Sequence, residues 1–243
     1  MEAFFNRSYG KHTYSDKQEV KATDLFDMAS VTKVAASTIV AMSTYEKGLF
    51  KLNDSLYKHL PDTLKKHLRS PSTLRNITFK QILIHATGLA AGQPIIKYIR
   101  YRDSLENKHG RFDKFYCDYT DEYYKIQVAD QFYMEREQED TIWYAMNRMN
   151  VDENPSYRYS DANMNLLYKL LNAKIKYRWQ YYLDSLFYKP MGMFNTYYLP
   201  IQNEIEPERI VPTENDRYWR KQLLRGYVHD PTAALFGGVA GNA

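Results

Sequence analysis

The sequence predicts an α+β domain on three observations. Its N-terminal end reads as strand, most of its middle reads as helix, and three residue blocks able to carry chemistry each stand at a helix start. Residues 2–14 alternate loosely, as in a strand pair turning near Asn6-Arg-Ser8 or Gly10-Lys11. From Val34 to Lys47 the pattern is helical. Val34, Thr38, Ala41, Met42 and Tyr45 form its expected buried stripe, and Gly48 takes the C-cap position. Asn53-Asp54 opens a turn. Thr78-Phe-Lys-Gln81 is a capping box that starts a helix ending before Gly88. Two helices are expected between Asp121 and Met149, broken near Glu135-Arg-Glu-Gln138. Asp161 to Lys176 carries Met164, Leu167, Leu170, Leu171 and Ile175 on one face, a clear buried stripe. Trp179 to Tyr188 gives a further helix, halted by Pro190 and Gly192. The expected organisation is a single domain over 1–243: strands in 1–29, a mainly helical lobe over 30–236, and the start of a C-terminal segment at 237–243.

Composition sets the outer bounds. A chain of 243 residues, 44% hydrophobic and with 23 tyrosines, can bury a sizeable core and does not read as disordered. The net charge of +4 is mild, and the basic residues form no long block, so nucleic acid is not an expected partner. The single Cys117 excludes an internal disulfide framework and a cysteine-rich zinc site. No run of about 18 apolar residues occurs. His229-Asp230 is no metal pair, because adjacent side chains point apart and no third ligand is spaced with them. No metal or cofactor is expected. Gly237, Gly238 and Gly241 are not a phosphate loop, because no Lys-Ser/Thr follows. The Tyr/Trp-rich stretch 98–144 reads as the core and rim of a helical lobe, with a carbohydrate or peptide groove as the alternative.

Ser30-Val-Thr-Lys33 is the most informative segment. A serine in the first turn of a helix sits near unpaired backbone N–H groups. A lysine three residues on lies on the same face, one turn away. Serine is a poor nucleophile until a neighbour takes its proton, and a lysine can do so once its environment favours the neutral amine. The plain alternative is a capped surface helix with Lys33 paired to Asp27 or Glu46.

The neighbouring blocks decide between these. Asp24-Leu-Phe-Asp-Met-Ala-Ser-Val-Thr-Lys33 is followed by Ile77-Thr-Phe-Lys-Gln-Ile-Leu-Ile-His-Ala-Thr-Gly-Leu89 and then Tyr159-Ser160-Asp161. In order and spacing they resemble the penicillin-recognising serine hydrolases: class C β-lactamases, DD-peptidases and related esterases. The likeness is nearest to the β-lactamase-like module fused to family 3 glycoside hydrolases in Bacteroidetes. It rests near the C-terminus on Pro212-Thr-Glu-Asn-Asp216, Leu224-Arg-Gly-Tyr-Val-His-Asp230 and Gly237-Gly-Val-Ala-Gly241.

The resemblance implies a β-lactamase/transpeptidase-like fold, an antiparallel sheet with a large helical lobe. It implies Ser30 as nucleophile, with Lys33 and Tyr159 as general base and acid. Asp161 would stand at the substrate-binding position, where the family's Tyr-x-Asn motif has Asn. A carboxylate cannot donate to a substrate carbonyl as an amide does, so this departure bears on β-lactamase activity more than on hydrolysis in general. His85 is expected to be structural, at a helix end. The oxyanion hole would use the Ser30 N–H and a second donor on a C-terminal strand. The Lys-Thr-Gly or His-Thr-Gly motif of that strand does not occur in this sequence. The expectation is therefore a fragment of an exported, periplasmic or cell-envelope protein, its sheet incomplete and prone to self-association through an open edge. The expected substrate is a small molecule or peptide: an ester, a D-amino-acid peptide or a cell-wall amide. The alternative is a non-catalytic ligand-binding or accessory module of a larger cell-envelope glycosidase, fused or associated.

Overall fold

The computed structural model describes residues 5–65, 73–91, 116–136, 143, 146, 149, 151–152 and 155–238. A short 3-10 turn, Ala29–Val31, leads into a π-helical turn, Lys33–Thr38, which runs into helix α1, Ile39–Glu46. Short helices α2 (Leu56–His59), α3 (Asp62–Lys65) and α4 (Phe79–Leu83) follow. The three-stranded antiparallel sheet β1 (Tyr116–Cys117), β2 (Tyr124–Ala129) and β3 (Phe132–Glu135) has the order β1-β3-β2. Helix α5 (Asp161–Asn172) is the longest helix among the described residues. Helix α6 (Trp179–Leu183), the hairpin β4 (Glu214–Asp216) with β5 (Gln222–Leu224), and helix α7 (Pro231–Leu235) complete the order.

Helix α5 is the hub of the core. Ala162, Met164, Leu166, Leu167, Leu170 and Leu171 are buried, and the helix packs on α4, on α1 and on the Lys33–Thr38 turn. Side chains of this kind each contribute about 1.5–3 kcal/mol on burial. Helix α4 starts as its sequence dictates. Thr78 Oγ1 accepts the Gln81 N–H at 3.3 Å, and the Gln81 side chain accepts the Thr78 N–H at 2.9 Å. Helix α1 ends in a Schellman motif around Gly48, where φ is +69°. Gly48 N donates to Tyr45 O at 2.8 Å and Leu49 N to Thr44 O at 3.1 Å.

Three expectations are corrected. Between Asp121 and Met149 the described residues hold the β2–β3 hairpin instead of a first helix. Tyr124, Ile126 and Val128 alternate along β2, and Gln131 takes φ +46° in the turn. The break expected at Glu135–Gln138 lies partly outside the described residues, as do much of the aromatic stretch 98–144 and residues 239–243. Residues 5–28 hold no strand longer than an isolated bridge. Lys11 bridges Glu19 across a loop, and Leu25 bridges Ile210 in parallel. Side chains tie this segment down instead: His12 Nε2 donates to Asp24 Oδ2 at 2.8 Å, and Arg225 donates to His12 Nδ1 at 2.9 Å.

The third correction concerns α1. Val34, Met42 and Tyr45 are exposed, while Ala36, Ser37, Val40, Ala41 and Thr44 are buried. Small side chains face the core because α5 lies close against them. The π winding of Lys33–Thr38 also shifts the register of everything after it. That winding leaves backbone carbonyls to be satisfied by side chains. Thr38 Oγ1 donates to Lys33 O at 2.8 Å, and Tyr188 Oη donates to Ala35 O at 2.9 Å. Phe26, Met28 and Val31 are also exposed, and they line a cleft of about 480 Å³ beside the Ser30 turn.

Candidate active site

Ser30 sits on the 3-10 turn and is exposed. The residue before it, Ala29, has φ +45°, in a region that alanine rarely enters. Its N–H is held by Asp27 Oδ1 at 2.8 Å, and Asp27 Oδ2 in turn accepts Thr213 Oγ1 at 2.8 Å. Strain of this kind persists only where surrounding bonds impose it, and it gathers at functional sites.

Lys33 lies one turn on and is only 6% exposed. Its Nζ donates to Ser30 Oγ at 2.8 Å, so the spacing does bring nucleophile and amine together. The same Nζ lies 2.7 Å from Asp161 Oδ1, an ion pair whose carboxylate is about a third exposed. It also lies over the Tyr159 ring, 4.9 Å from its centroid. The other three residues singled out by the sequence, Ser30, Tyr159 and Asp161, thus converge on Lys33 Nζ. The expected alternative pairing of Lys33 with Asp27 or Glu46 is not made.

Tyr159 and Asp161 reach Lys33 from the start of α5. The backbone there is anchored by His85, which follows α4 at φ +53°. The Arg158 N–H donates to His85 O at 2.8 Å, and the Ser160 N–H donates to His85 Nδ1 at 3.1 Å. Asn163 Nδ2 donates to the same nitrogen at 3.0 Å, and Asn163 Oδ1 accepts Thr87 Oγ1 at 2.7 Å. The Ser160 hydroxyl donates to Ala90 O at 2.6 Å. The His85 ring stacks on Tyr159 with centroids 4.9 Å apart and planes 27° apart. Burial, then the Lys33 charge, pushes the His85 imidazole below the usual histidine range. Gly88 belongs to the same network: at φ +77°, a Cβ there would stand 2.8 Å from Asp152 N.

Sequence reasoning missed Thr87 and Asn163, both buried, and also Asp230. Asp230 caps α7, accepting the Ala233 N–H, with Pro231 next to it at the first helical position. An Asp-Pro pair before a helical run is a legible start signal. Burial raises the Asp230 carboxyl above its usual range against the Ala233 bond, and the Asp161 charge adds to the rise. Among the described residues no cluster of three or more His, Cys, Asp or Glu is placed to hold a metal ion.

The family model described as Beta-lactamase matches residues 2–240. The chain belongs to that family. Its fold is the β-lactamase/transpeptidase-like α+β fold, and the family is one of serine hydrolases of the penicillin-recognising type. The crystal structure of a β-lactamase/D-alanine carboxypeptidase from Yersinia pestis, complexed with citrate, superposes with a TM-score of 0.58 at 19% identity. It covers 98% of this chain and 55% of that one. A putative D-alanyl-D-alanine carboxypeptidase of Escherichia coli K12 is 24% identical over 243 residues, covering 93% of this chain and 49% of that protein. Protein flp of Staphylococcus aureus MRSA252 is 23% identical over 207 residues, covering 85% of this chain and 34% of that protein. The chain therefore spans half or less of the length of these curated relatives.

Proposed function

We propose that this chain carries the nucleophile-bearing half of a serine hydrolase acting through an acyl-enzyme. The carrying observation is the 2.8 Å contact between Ser30 Oγ and a buried Lys33 Nζ, on one turn behind a strained Ala29. In the reaction, Ser30 Oγ bonds to the substrate carbonyl carbon as its proton passes to Lys33, directly or through Tyr159. The leaving group departs with a proton returned from the same pair, and water then releases the acyl group. The step requires Lys33 as a free amine, while in this structure Lys33 faces the Asp161 carboxylate. Transfer of the Nζ proton to that carboxylate, 2.7 Å away, would set the base free. The name of the Escherichia coli relative motivates the substrate class: D-amino-acid peptides or cell-wall amides of the cell envelope, with simple esters as surrogates.

The Lys33–Asp161 pair also favours a second reading. While the pair lasts, Lys33 has no lone pair for the Ser30 proton, which suits a module that binds such a ligand without turning it over. An accessory role beside a cell-envelope glycosidase belongs to this second reading. One experiment separates the two. A fluorescent penicillin and a fluorophosphonate are added to the purified chain, and adducts are mapped by peptide mass spectrometry. A covalent adduct on Ser30, lost in Ser30→Ala, is the expected result. A folded chain that leaves Ser30 unmodified by both probes overturns the hydrolase reading.

A further inference from the structure

His85 occupies a position that its role as a helix end does not require. Its Nδ1 receives the Ser160 backbone N–H at 3.1 Å, a group that can only donate, and faces Asn163 Nδ2 at 3.0 Å. Neutral His85 therefore carries its proton on Nε2. Asn163 Oδ1 accepts from the Thr87 hydroxyl at 2.7 Å, in keeping with Nδ2 donating to the ring. Thr87, Ser160 and Asn163 are all buried, so water cannot stand in for a lost partner. The imidazole also supports the face of Tyr159, and Tyr157 packs edge-on against it at 6.4 Å.

Resting on the functional reading above, we infer that His85 is the positioning residue of this site. As a neutral imidazole it fixes the Tyr159-Ser160-Asp161 turn over Lys33, and as an imidazolium it lets that turn go. A proton on Nδ1 would oppose both the Ser160 and Asn163 donors. The charged and titratable groups facing the ring are Lys33 from the π turn, Asp161 from α5, and the tyrosines 157 and 159. Lys33 opposes the added charge and Asp161 favours it. Acid would thus loosen the general acid/base group without touching Ser30.

The test uses the whole chain and two substitutions that divide the roles of the ring. Asparagine at 85 places an oxygen where Nδ1 stands and tolerates positive φ, but it cannot titrate. Phenylalanine keeps the ring and removes the acceptor. Long-range 15N–1H spectra of histidine-labelled protein should show His85 protonated on Nε2 alone at pH 7. The Tyr159 ring resonances, assigned with Tyr159→Phe, should move with the His85 midpoint, below the ordinary histidine value of about 6.5. Fluorophosphonate labelling of Ser30 should fall about tenfold across the same midpoint in the wild type. His85→Asn should lose that acid limb, and His85→Phe should label slowly at every pH.

An Nδ1–H tautomer overturns the inference. So does a His85 titration that leaves Tyr159 unmoved, or an acid limb that survives in His85→Asn. Ser30 that is never labelled, with the His85–Tyr159 coupling intact, defeats the hydrolase reading and leaves the positioning role standing.

Discussion

The Lys33–Asp161 pair can be weighed by a double-mutant cycle. Substituting Asp161→Asn keeps the shape and removes the charge, and Lys33→Met removes the ammonium while keeping the stem. At 2.7 Å two unit charges attract by about 6 kcal/mol at an effective dielectric constant of 20, before any cost of removing them from water. Lys33 is nearly fully buried, and breaking such a pair typically costs about 3–5 kcal/mol. Asp161, however, is about a third exposed, so solvent already screens its charge. A net coupling of about 1–2 kcal/mol remains. Each single substitution should lower stability by about that amount, and a chain of this length should lose about 2–8 °C in Tm. The double variant should be less destabilised than the sum of the two. Urea unfolding of all four proteins at pH 7 reads the coupling directly. A coupling below about 0.3 kcal/mol would refute the claim that Asp161 engages Lys33 and remove the support for the second, ligand-binding reading.

Three further outcomes follow from the packing. Thr78→Ala, which opens the capping box, should cost about 1 kcal/mol in urea unfolding with no change in Ser30 labelling beyond that of lost stability. Gly88→Ala combines φ +77° with a 2.8 Å approach to the Asp152 backbone, and should cost about 2 kcal/mol or more; a Tm within 1 °C of wild type would show that this close approach is relieved freely. Burial raises the Asp216 carboxyl, but the Trp219 N–H and the Arg220 guanidinium outweigh it and hold the group well below the usual range. A depressed carboxylate contributes stability that is present above its unfolded value of about 3.9 and is lost as pH falls below it. Asp216→Asn should therefore be less stable at pH 7 and should lose less on acidification between pH 4 and pH 2, as followed by circular dichroism.

What could be read in advance was local. Ser30 and Lys33 meet because three residues span one turn, and Thr78 caps α4 because its partner, Gln81, is three residues away. The α5 stripe was legible because its leucines repeat at helical spacing over twelve residues. Legibility failed where the deciding partner is distant. Nothing near His85 announces Asn163, 78 positions on, and nothing near Arg220 announces the carbonyls of Val128 and Val228 that accept from it. The β2–β3 hairpin escapes a reading of the sequence because its strands are short, six and four residues, and their alternation ends with them. Of the expected α1 stripe Ala41 is buried, while Val34, Met42 and Tyr45 are exposed, because an α-helical period with apolar residues inward does not hold here. In fact the close approach of α5 selects alanine and serine, and the winding before α1 is wider than α.

That wider winding has a consequence for how the segment can tolerate insertions and deletions. A π turn holds one residue more than the α turn it would otherwise be. Winding the same six residues as α-helix would rotate everything after them by about 100°, one residue's share of a turn, and turn Ala41 and Thr44 outward. Deleting one residue between Lys33 and Thr38 removes that mismatch, because an α turn with one residue fewer sweeps nearly the angle of the wider turn. The segment can therefore lose one residue with the buried face of α1 kept, whereas a deletion within Ile39–Glu46 exchanges that face. The slack in length lies between Lys33 and Ile39, while Ser30 stays where the preceding turn holds it.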